Sequence, residues 1–347
     1  MSWKYYGNEA AVALLRSQVA RGWVRQAYLF CGPSGVGRRT LALQLAQAVS
    51  CLHPPHPGEF CSRCRPCKLL AEMRHPDLEV VESESRSGTL RVEQVRELQH
   101  RLSLTPYEGR YRIALILRCE EANLNAQNAL LKTLEEPPQR VILLLTAENS
   151  ESLLPTIVSR CEVLHLRAMP PKALARVLVE CEQCDPIVAA QIARLAAGRP
   201  GEALRLLHEP ERRIALLHTV EEHLHLLQSS MLNRFALAER LSRTLSKAEI
   251  VLLLEHWITF WRDVLLSVYQ DQEELTYSEF RPQIVEIAAQ TGEKRVLQVL
   301  HDLRQVLEAT QSNVNLRLAF EVLFLNLPHI FLDRSPESAV REATQRE

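Results

Sequence analysis

The sequence predicts an α/β domain built on a parallel sheet, followed by an all-helical region. Up to about residue 165, short apolar runs alternate with amphipathic segments, and such continuous runs are typical of strands covered on both faces. Beyond Met169 the pattern is helical, and ten of the eleven glycines lie at or before Gly201. A chain of 347 residues exceeds one compact core, so we expect two or three domains.

Five apolar runs are the predicted strands, at residues 27–31, 78–81, 112–117, 141–147 and 162–166. Between them, residues 90–104 carry valine and leucine at helical spacing. Residues 123–136 form a second predicted helix, which Pro137 and Pro138 must end. Strands and helices that alternate in this order predict a parallel sheet with crossover helices.

Composition and charge exclude some classes of protein. The apolar share of 46% and the charged share of 24% are those of a globular protein. No stretch reaches the roughly 18 consecutive apolar residues of a membrane helix, and no signal peptide is recognisable, so we expect a cytoplasmic protein without a membrane partner. A net charge of −1 argues against a protein that holds nucleic acid alone through a basic surface, but it leaves a role in a DNA-handling assembly open.

Four of the nine cysteines, Cys51, Cys61, Cys64 and Cys67, follow the spacing C-x9-C-x2-C-x2-C. A reducing compartment disfavours disulfides, and four thiolates in short loops form a closed tetrahedral zinc site without a position for water. We therefore predict a structural Zn²⁺ site whose binding energy supports folding of residues 51–67. Three nearby histidines could replace one ligand: His53, His56 and His75.

Residues 31–40, CGPSGVGRRT, follow the first predicted strand and open a helix, which is the position of a phosphate-binding loop. The glycines of this loop are Gly32, Gly35 and Gly37. However, Arg38 stands where a lysine would reach the β- and γ-phosphates, and Arg39 stands where a hydroxyl would bind Mg²⁺. Thr40 comes one residue too late, about 100° around the helix.

The acidic half of an ATPase site is also displaced. An Asp-Glu pair should end the strand at residues 112–117, but Arg118 and Cys119 follow it, and Glu120 and Glu121 come only afterwards. Carboxylates at a helix N-terminus are favourable, so we expect both glutamates to be the solvated start of the next helix. The sequence therefore argues against ATP and Mg²⁺ binding by this chain.

Several motifs resemble one family. Residues 125–138, NAQNALLKTLEEPP, and residues 153–164, LLPTIVSRCEVL, are very similar to the clamp-loader branch of the AAA+ proteins, whose hallmark is the tripeptide formed here by Ser159, Arg160 and Cys161. Further segments resemble the delta-prime subunits of the bacterial DNA polymerase III clamp loader: W..YGNE from Trp3, the cysteine cluster, HPDL (75–78), FWRDVLL (260–266) and NVNLRLAFEVLF (313–324). The resemblance runs from about residue 3 to residue 330 and is most specific in the first half.

This resemblance implies a domain order. It places an AAA+ module with a RecA-like sheet at residues 1–167 with the zinc module at 51–67, a small helical lid domain at 168–208, a helical collar domain at 209–332, and a tail at 333–347 that we expect to be disordered. The collar would join this subunit to its counterparts in a ring. Trp257, Phe260 and Trp261 are expected to be core residues of the helical region.

The resemblance also implies a role. Delta-prime subunits commonly have a degenerate nucleotide site, so the loop would be kept for its shape and the chain would not hydrolyse ATP itself. Arg160 would be an arginine finger that acts on ATP in a neighbouring gamma/tau subunit, with Cys161 as a packing residue. The second sensor of the family falls near Arg199 or Gly201. The implied partners are gamma/tau and delta subunits and, indirectly, the sliding clamp and primed DNA, with this chain as a rigid part of the polymerase holoenzyme.

Two other interpretations stay open. The chain could be an active gamma/tau-like ATPase, in which Arg38 replaces the lysine and Glu120 or Glu121 binds the metal. Mg-dependent ATP binding by the isolated chain would distinguish this case. Alternatively, it could be a purely structural zinc-bearing adaptor, although the intact Ser-Arg-Cys motif speaks against that interpretation.

Overall fold

The computed structural model describes residues 3–83, 88–270, 275–310 and 314–332. Its strands are β1 Ala27–Cys31, β2 Leu78–Val81, β3 Arg112–Ile116, β4 Val141–Ala147 and β5 Glu162–His165. They form one parallel sheet in the order β2-β3-β4-β1-β5. The five predicted strands are confirmed, and β3 and β5 each end one residue earlier than predicted.

The helices up to residue 186 are α1 Glu9–Arg21, α2 Arg38–Ser50, α3 Arg65–Ala71, α4 Val92–Leu102, α5 Leu124–Glu135, α6 Pro155–Val158 and α7 Pro171–Glu182. A 3-10 turn, Cys119–Glu121, connects β3 to α5. The side chain of Asn123 caps α5 by accepting the N–H of Ala126, and the helix ends before Pro137 as predicted.

Each face of the sheet carries its own apolar core. Tyr28 of β1 lies on the face covered by α2, with Leu41, whereas its neighbour Leu29 lies on the opposite face with Leu98 of α4 and Leu130 of α5. Successive side chains of a strand point to opposite faces, so a run that is buried on both faces must be apolar throughout. This explains why the strands read as continuous apolar runs.

The remaining helices are α8 Pro186–Leu195, α9 Pro200–His208, α10 Pro210–Gln228, α11 Met231–Thr244, α12 Lys247–Val268, α13 Arg281–Thr291, α14 Glu293–Thr310 and α15 Leu316–Asn326. Trp257, Phe260 and Trp261 of α12 are buried, as expected of core residues. Within the described residues, no helix combines the length and apolar character needed to cross a bilayer.

The described residues divide into two compact units. The first lies within Met1–Pro186 and Gly198–Ala203 and contains the sheet, and the second lies within Ile187–Ala197 and Leu204–Glu347 and is helical. The α/β fold with a helical C-terminal part is thus confirmed. The domain limits at residues 167 and 208 stay a prediction, and the tail at 333–347 lies outside the described residues.

Candidate functional site

The loop between β1 and α2, at the predicted position of a phosphate-binding loop, requires glycine at two of its residues. Gly35 and Gly37 have φ values of 82° and 100°, in the left-handed region that favours glycine. Gly32 lies at the end of β1, where its N–H donates to the carbonyl of Ala147 in β4. The helix α2 begins directly after Gly37, so its N-terminus opens from the loop as the sequence predicts.

Other segments of the first unit cover this loop. The N–H of Gly201 donates to the carbonyl of Gly35 over 2.8 Å, and the hydroxyl of Tyr5 donates to the carbonyl of Val36 over 2.8 Å. A Cβ atom added to Gly37 would lie 2.8 Å from the Tyr5 ring. Two other segments of the chain therefore lie directly against the loop backbone at Gly35, Val36 and Gly37.

Arg199 and Gly201, the two candidates for the second-sensor position, both contact the loop. Arg199 donates from Nη1 to the carbonyl of Ser34 over 3.4 Å. A Cβ atom on Gly201 would lie 2.9 Å from the carbonyl oxygen of Gly35, so only glycine fits there without a shift of backbone. These contacts hold the segment at residues 198–203 against the loop. One N–H group of the Arg199 side chain is engaged by the backbone of the loop itself.

Arg38, at the position of the missing lysine, is 10% exposed and faces carboxylates of its own chain. Its Nη1 lies 3.7 Å from Oε1 of Glu120, and its Nη2 lies 4.0 Å from Glu148. Burial raises the pKa of Glu120, and the positive charge of Arg38 opposes that rise. The positive charge at the lysine position is therefore offset by carboxylates of the same chain. Arg39 and Thr40 are exposed on the first turn of α2.

The expectation of a solvated helix start was wrong for Glu120. The 3-10 turn Cys119–Glu121 carries its side chain back toward Arg38, where it is only 19% exposed. Glu121 pairs instead with Arg118, at 2.7 Å between Nε and Oε1. Spacing along the chain could not reveal this, because the turn and not the strand end determines where Glu120 lies.

The four predicted metal ligands, Cys51, Cys61, Cys64 and Cys67, come together, and all of their sulfur atoms lie within 4.8 Å of one another. Tetrahedral zinc with Zn–S bonds of about 2.3 Å places sulfur atoms about 3.8 Å apart, so the cluster matches in size. Burial alone would raise the pKa of Cys61, but backbone N–H groups of Arg63 and Cys64 lower it to about 6. Burial raises the pKa of Cys51 and Cys67 instead, so a metal ion would have to displace protons from these two thiols when it binds.

Contacts with the core hold this cluster in place. Cys51 directly follows α2, Cys64 directly precedes α3, and Cys67 in the first turn of α3 is fully buried. Trp3 contacts the edge of Phe60 and donates its indole N–H to the carbonyl of Gly58 over 3.0 Å. A metal here would link two helices and would therefore supply folding energy. Four sulfur ligands leave no open coordination position, so the site would be structural and not catalytic.

The alternative histidine ligands lie elsewhere. His53 and His56 are exposed and outside the sulfur cluster. His75 is buried and accepts the N–H of Asp77 at its Nδ1, so one ring nitrogen is already engaged. Among the described residues, the four cysteines are the group that could hold a metal ion.

Arg160 lies on the surface of the first unit, after the short helix α6. Its side chain is 35% exposed, and Nη2 lies 2.7 Å from Oε1 of Glu135, the last residue of α5. Nη1 donates to the carbonyl of Thr156 over 3.0 Å. Two partners thus fix the guanidinium at the surface while part of it stays open to solvent.

The neighbours of Arg160 shape the turn that presents it. The hydroxyl of Ser159 donates to the carbonyl of Thr156 over 3.1 Å, and the N–H of Cys161 donates to the carbonyl of Val158 over 3.2 Å. Burial raises the pKa of Cys161 to about 12, so its thiol is protonated and unreactive. This agrees with a packing role for Cys161.

Three residues at these sites were not found from the sequence: Tyr5, Glu135 and Glu148. Glu135 lies within the motif at residues 125–138, but nothing in that motif signals contact with Arg160. Tyr5 and Glu148 reach the loop only through the tertiary fold.

Comparison with known proteins identifies the family. A family model described as DNA polymerase III, delta subunit, matches residues 7–170. The DNA polymerase III subunit delta′ of Pseudomonas aeruginosa is 33% identical over 314 residues, which are 86% of this chain and 90% of that protein. The Bacillus subtilis subunit delta′ is 28% identical over 339 residues, which are 94% of this chain and 98% of the relative.

A solved structure shares the fold. The crystal structure of a DNA polymerase III gamma subunit-related protein from Thermotoga maritima matches 91% of this chain and 97% of its own, with a TM-score of 0.50 and 18% identity. The parallel sheet and the helical second unit give the chain the AAA+ fold, and the two delta′ relatives place it in the clamp-loader class of that fold. Within that class, the chain belongs to the family of DNA polymerase III delta′ subunits.

Proposed function

We propose that this chain is a clamp-loader subunit that does not hydrolyse ATP itself and supplies Arg160 to the ATP site of a neighbouring gamma/tau subunit. It would act as a fixed part of the machine that sets the sliding clamp on primed DNA, together with the delta subunit. The zinc module at residues 51–67 would stabilise the first unit.

The observation that carries this proposal is the contrast between Arg38 and Arg160. Arg38 is buried against carboxylates of its own chain, whereas Arg160 lies at the surface with its guanidinium fixed by Glu135 and Thr156. A cation that is already held in position stabilises the charge that develops in the transition state of phosphoryl transfer, because it need not move during the reaction. Of the two arginines, Arg160 is therefore the one suited to a nucleotide on another subunit.

The covered loop supports the absence of ATP hydrolysis by this chain. A bound triphosphate would need space against the loop backbone, a cation at the position of Arg38, and a hydroxyl for Mg²⁺. Instead, Tyr5 and Gly201 lie on the loop backbone, and Arg39 stands at the position of the hydroxyl. The loop would thus serve to connect β1, α2 and the segment at residues 198–203.

Replacing Arg160 with alanine in the reconstituted complex tests the proposal. An arginine finger contributes about 10³ to 10⁵ in rate in GTPases, so the ATP site next to this subunit should lose nearly all of its activity. The measurement is ATP hydrolysis with gamma/tau and delta subunits, sliding clamp and primed DNA, together with gel filtration to verify that the complex assembles. Arg160→Lys should restore little, because lysine lacks the planar fork.

A matched control is Arg16→Ala. Arg16 lies in the same unit and pairs with Glu59 at 2.6 Å, close to the 2.7 Å of Arg160 and Glu135, so it reports the cost of losing a surface ion pair alone. Wild-type hydrolysis by an assembled Arg160→Ala complex would contradict the finger and favour the purely structural adaptor. Mg-dependent ATP binding by the isolated chain would favour the active ATPase.

A further inference from the structure

An open polar pocket of about 300 Å³ lies beside Arg160 in the first unit. Its polar walls come from Arg25, Gln26, Ser159, Arg160 and Glu162, and the end of α5 closes one side. The motif analysis of the sequence does not account for this pocket, and Arg25 belongs to none of the motifs described above.

The sheet explains why Arg25 and Arg160 meet. The strands β1 and β5 are parallel neighbours with Tyr28 opposite Glu162. Arg25 lies three residues before Tyr28, and Arg160 lies two residues before Glu162. Both arginines therefore stand at the amino ends of paired strands, whereas the phosphate-binding loop follows the carboxyl end of β1. The pocket is thus separate from the chain's own nucleotide loop.

Two guanidinium groups and one carboxylate line the pocket, and Glu135 also pairs with Arg160, so each arginine has one carboxylate partner. Arg25 is 68% exposed, and its Nε lies 3.5 Å from Oε2 of Glu162, which is itself 31% exposed. Exposed pairs of this kind contribute little stability and exchange partners readily. Each guanidinium has five donors, so both arginines keep donors for an added anion.

We propose that Arg25 is a second contact, beside Arg160, to the phosphates of the nucleotide held by the neighbouring subunit. This inference rests on the proposed role of Arg160. The phosphate of a nucleoside triphosphate fits the site, because guanidinium forks match phosphate oxygens and both arginines keep donors for them. Arg25 would chiefly bind the nucleotide, and Arg160 would chiefly stabilise the charge of the transition state.

Steady-state ATP hydrolysis by the reconstituted complex tests this division. For Arg25→Ala we expect the KM for ATP to rise about fivefold to tenfold with a smaller change in kcat, which is the effect of losing one partly exposed charge-assisted contact. Arg25→Lys should recover part of the loss. The matched control is Arg74→Ala, since Arg74 is also exposed and lies 3.5 Å from Glu72, and it should leave the KM unchanged.

A substitution of Glu162 separates a nucleotide contact from a structural ion pair. Glu162→Gln removes the carboxylate that competes for Arg25, so the proposal predicts an unchanged or lower KM. If Arg25→Ala and Glu162→Gln raise the KM equally, the ion pair is structural and the inference is overturned. If Arg160→Ala lowers kcat while Arg25→Ala matches wild type, only this inference fails. If Arg160→Ala also matches wild type, the proposed function fails with it.

Discussion

Replacing Asp77 with alanine should reduce the stability of the first unit by about 3 kcal/mol, since each lost hydrogen bond contributes about 1 kcal/mol. Asp77 belongs to the HPDL motif and is 1% exposed. Its Oδ1 accepts the N–H of Tyr107, and its Oδ2 accepts the N–H groups of Glu108 and Gly109 at 3.0 and 2.8 Å. One carboxylate thus fixes the turn that leads into β3.

The estimate follows from these three bonds. Bonds to a charged acceptor contribute more than neutral ones, but the donors are partly buried, and water can replace the carboxylate at some of them. Asparagine keeps one acceptor oxygen, which at the Oδ2 position can still accept the N–H groups of Glu108 and Gly109, so Asp77→Asn should lose the bond to Tyr107 and about 1 kcal/mol.

The effect should depend on pH in a defined direction. Burial alone would raise the pKa of Asp77, but the three backbone N–H groups and nearby His75 hold it below its ordinary value. Because the folded-state pKa is depressed, the stabilisation is present above the unfolded pKa of about 3.9 and is lost as the pH falls through the folded value. The difference between wild type and Asp77→Asn should therefore shrink below about pH 4.

Thermal unfolding at pH 7 combined with hydrogen exchange of residues 104–112 measures this prediction. Exchange in that segment should be faster in Asp77→Ala, because its amides lose their acceptor. The control is Glu72→Ala, since Glu72 is an exposed carboxylate and should change stability by less than about 1 kcal/mol. Wild-type melting together with unchanged exchange in Asp77→Ala would refute the reasoning.

Two further predictions concern the metal cluster and the second unit. Cys64→Ser should lower the zinc content, measured by elemental analysis, from about one ion per chain toward none. It should also lower the melting temperature, because structural zinc supplies folding energy. Equal zinc content in the wild type and the variant would contradict the four-cysteine site. Burial raises the pKa of Asp263 to about 6, although the N–H of Tyr277 and the charge of Arg262 both act to lower it. The folded state therefore binds this proton more tightly than the unfolded state does. Stability from this group is therefore present below the unfolded pKa of about 3.9 and is lost, by about 3 kcal/mol in all, as the pH rises through 6. Asp263→Asn should remove that slope in unfolding measurements across pH 4 to 6, and an unchanged slope would contradict the assignment.

Local sequence patterns were sufficient to predict the strands, the cysteine cluster and the end of α5. The run at residues 141–147 is buried along its whole length in β4, so its apolar pattern matched its environment on both faces. The cysteine spacing likewise predicted the sulfur cluster, because its members lie close in the sequence and the loops between them are short. Helix α5 ended where two prolines required it.

The parts that could not be predicted depend on contacts between distant residues. Glu120 meets Arg38 because a 3-10 turn follows β3, and Gly201 meets Gly35 although 166 positions separate them. Arg25 lies beside Arg160 only because β1 and β5 pair. Such contacts form only when the sheet is assembled, so the spacing of residues within one segment cannot predict them.

The most direct test of the central claim is equilibrium binding of labelled ATP to the isolated chain, with and without Mg²⁺. The claim is that this loop is closed by its own protein and that Arg160 works on a neighbour's nucleotide. We predict no Mg-dependent binding by the wild type, because Tyr5 and Gly201 lie on the loop and Arg39 replaces the hydroxyl. Tight Mg-dependent binding would contradict the claim and would make this chain a nucleotide-binding subunit in its own right.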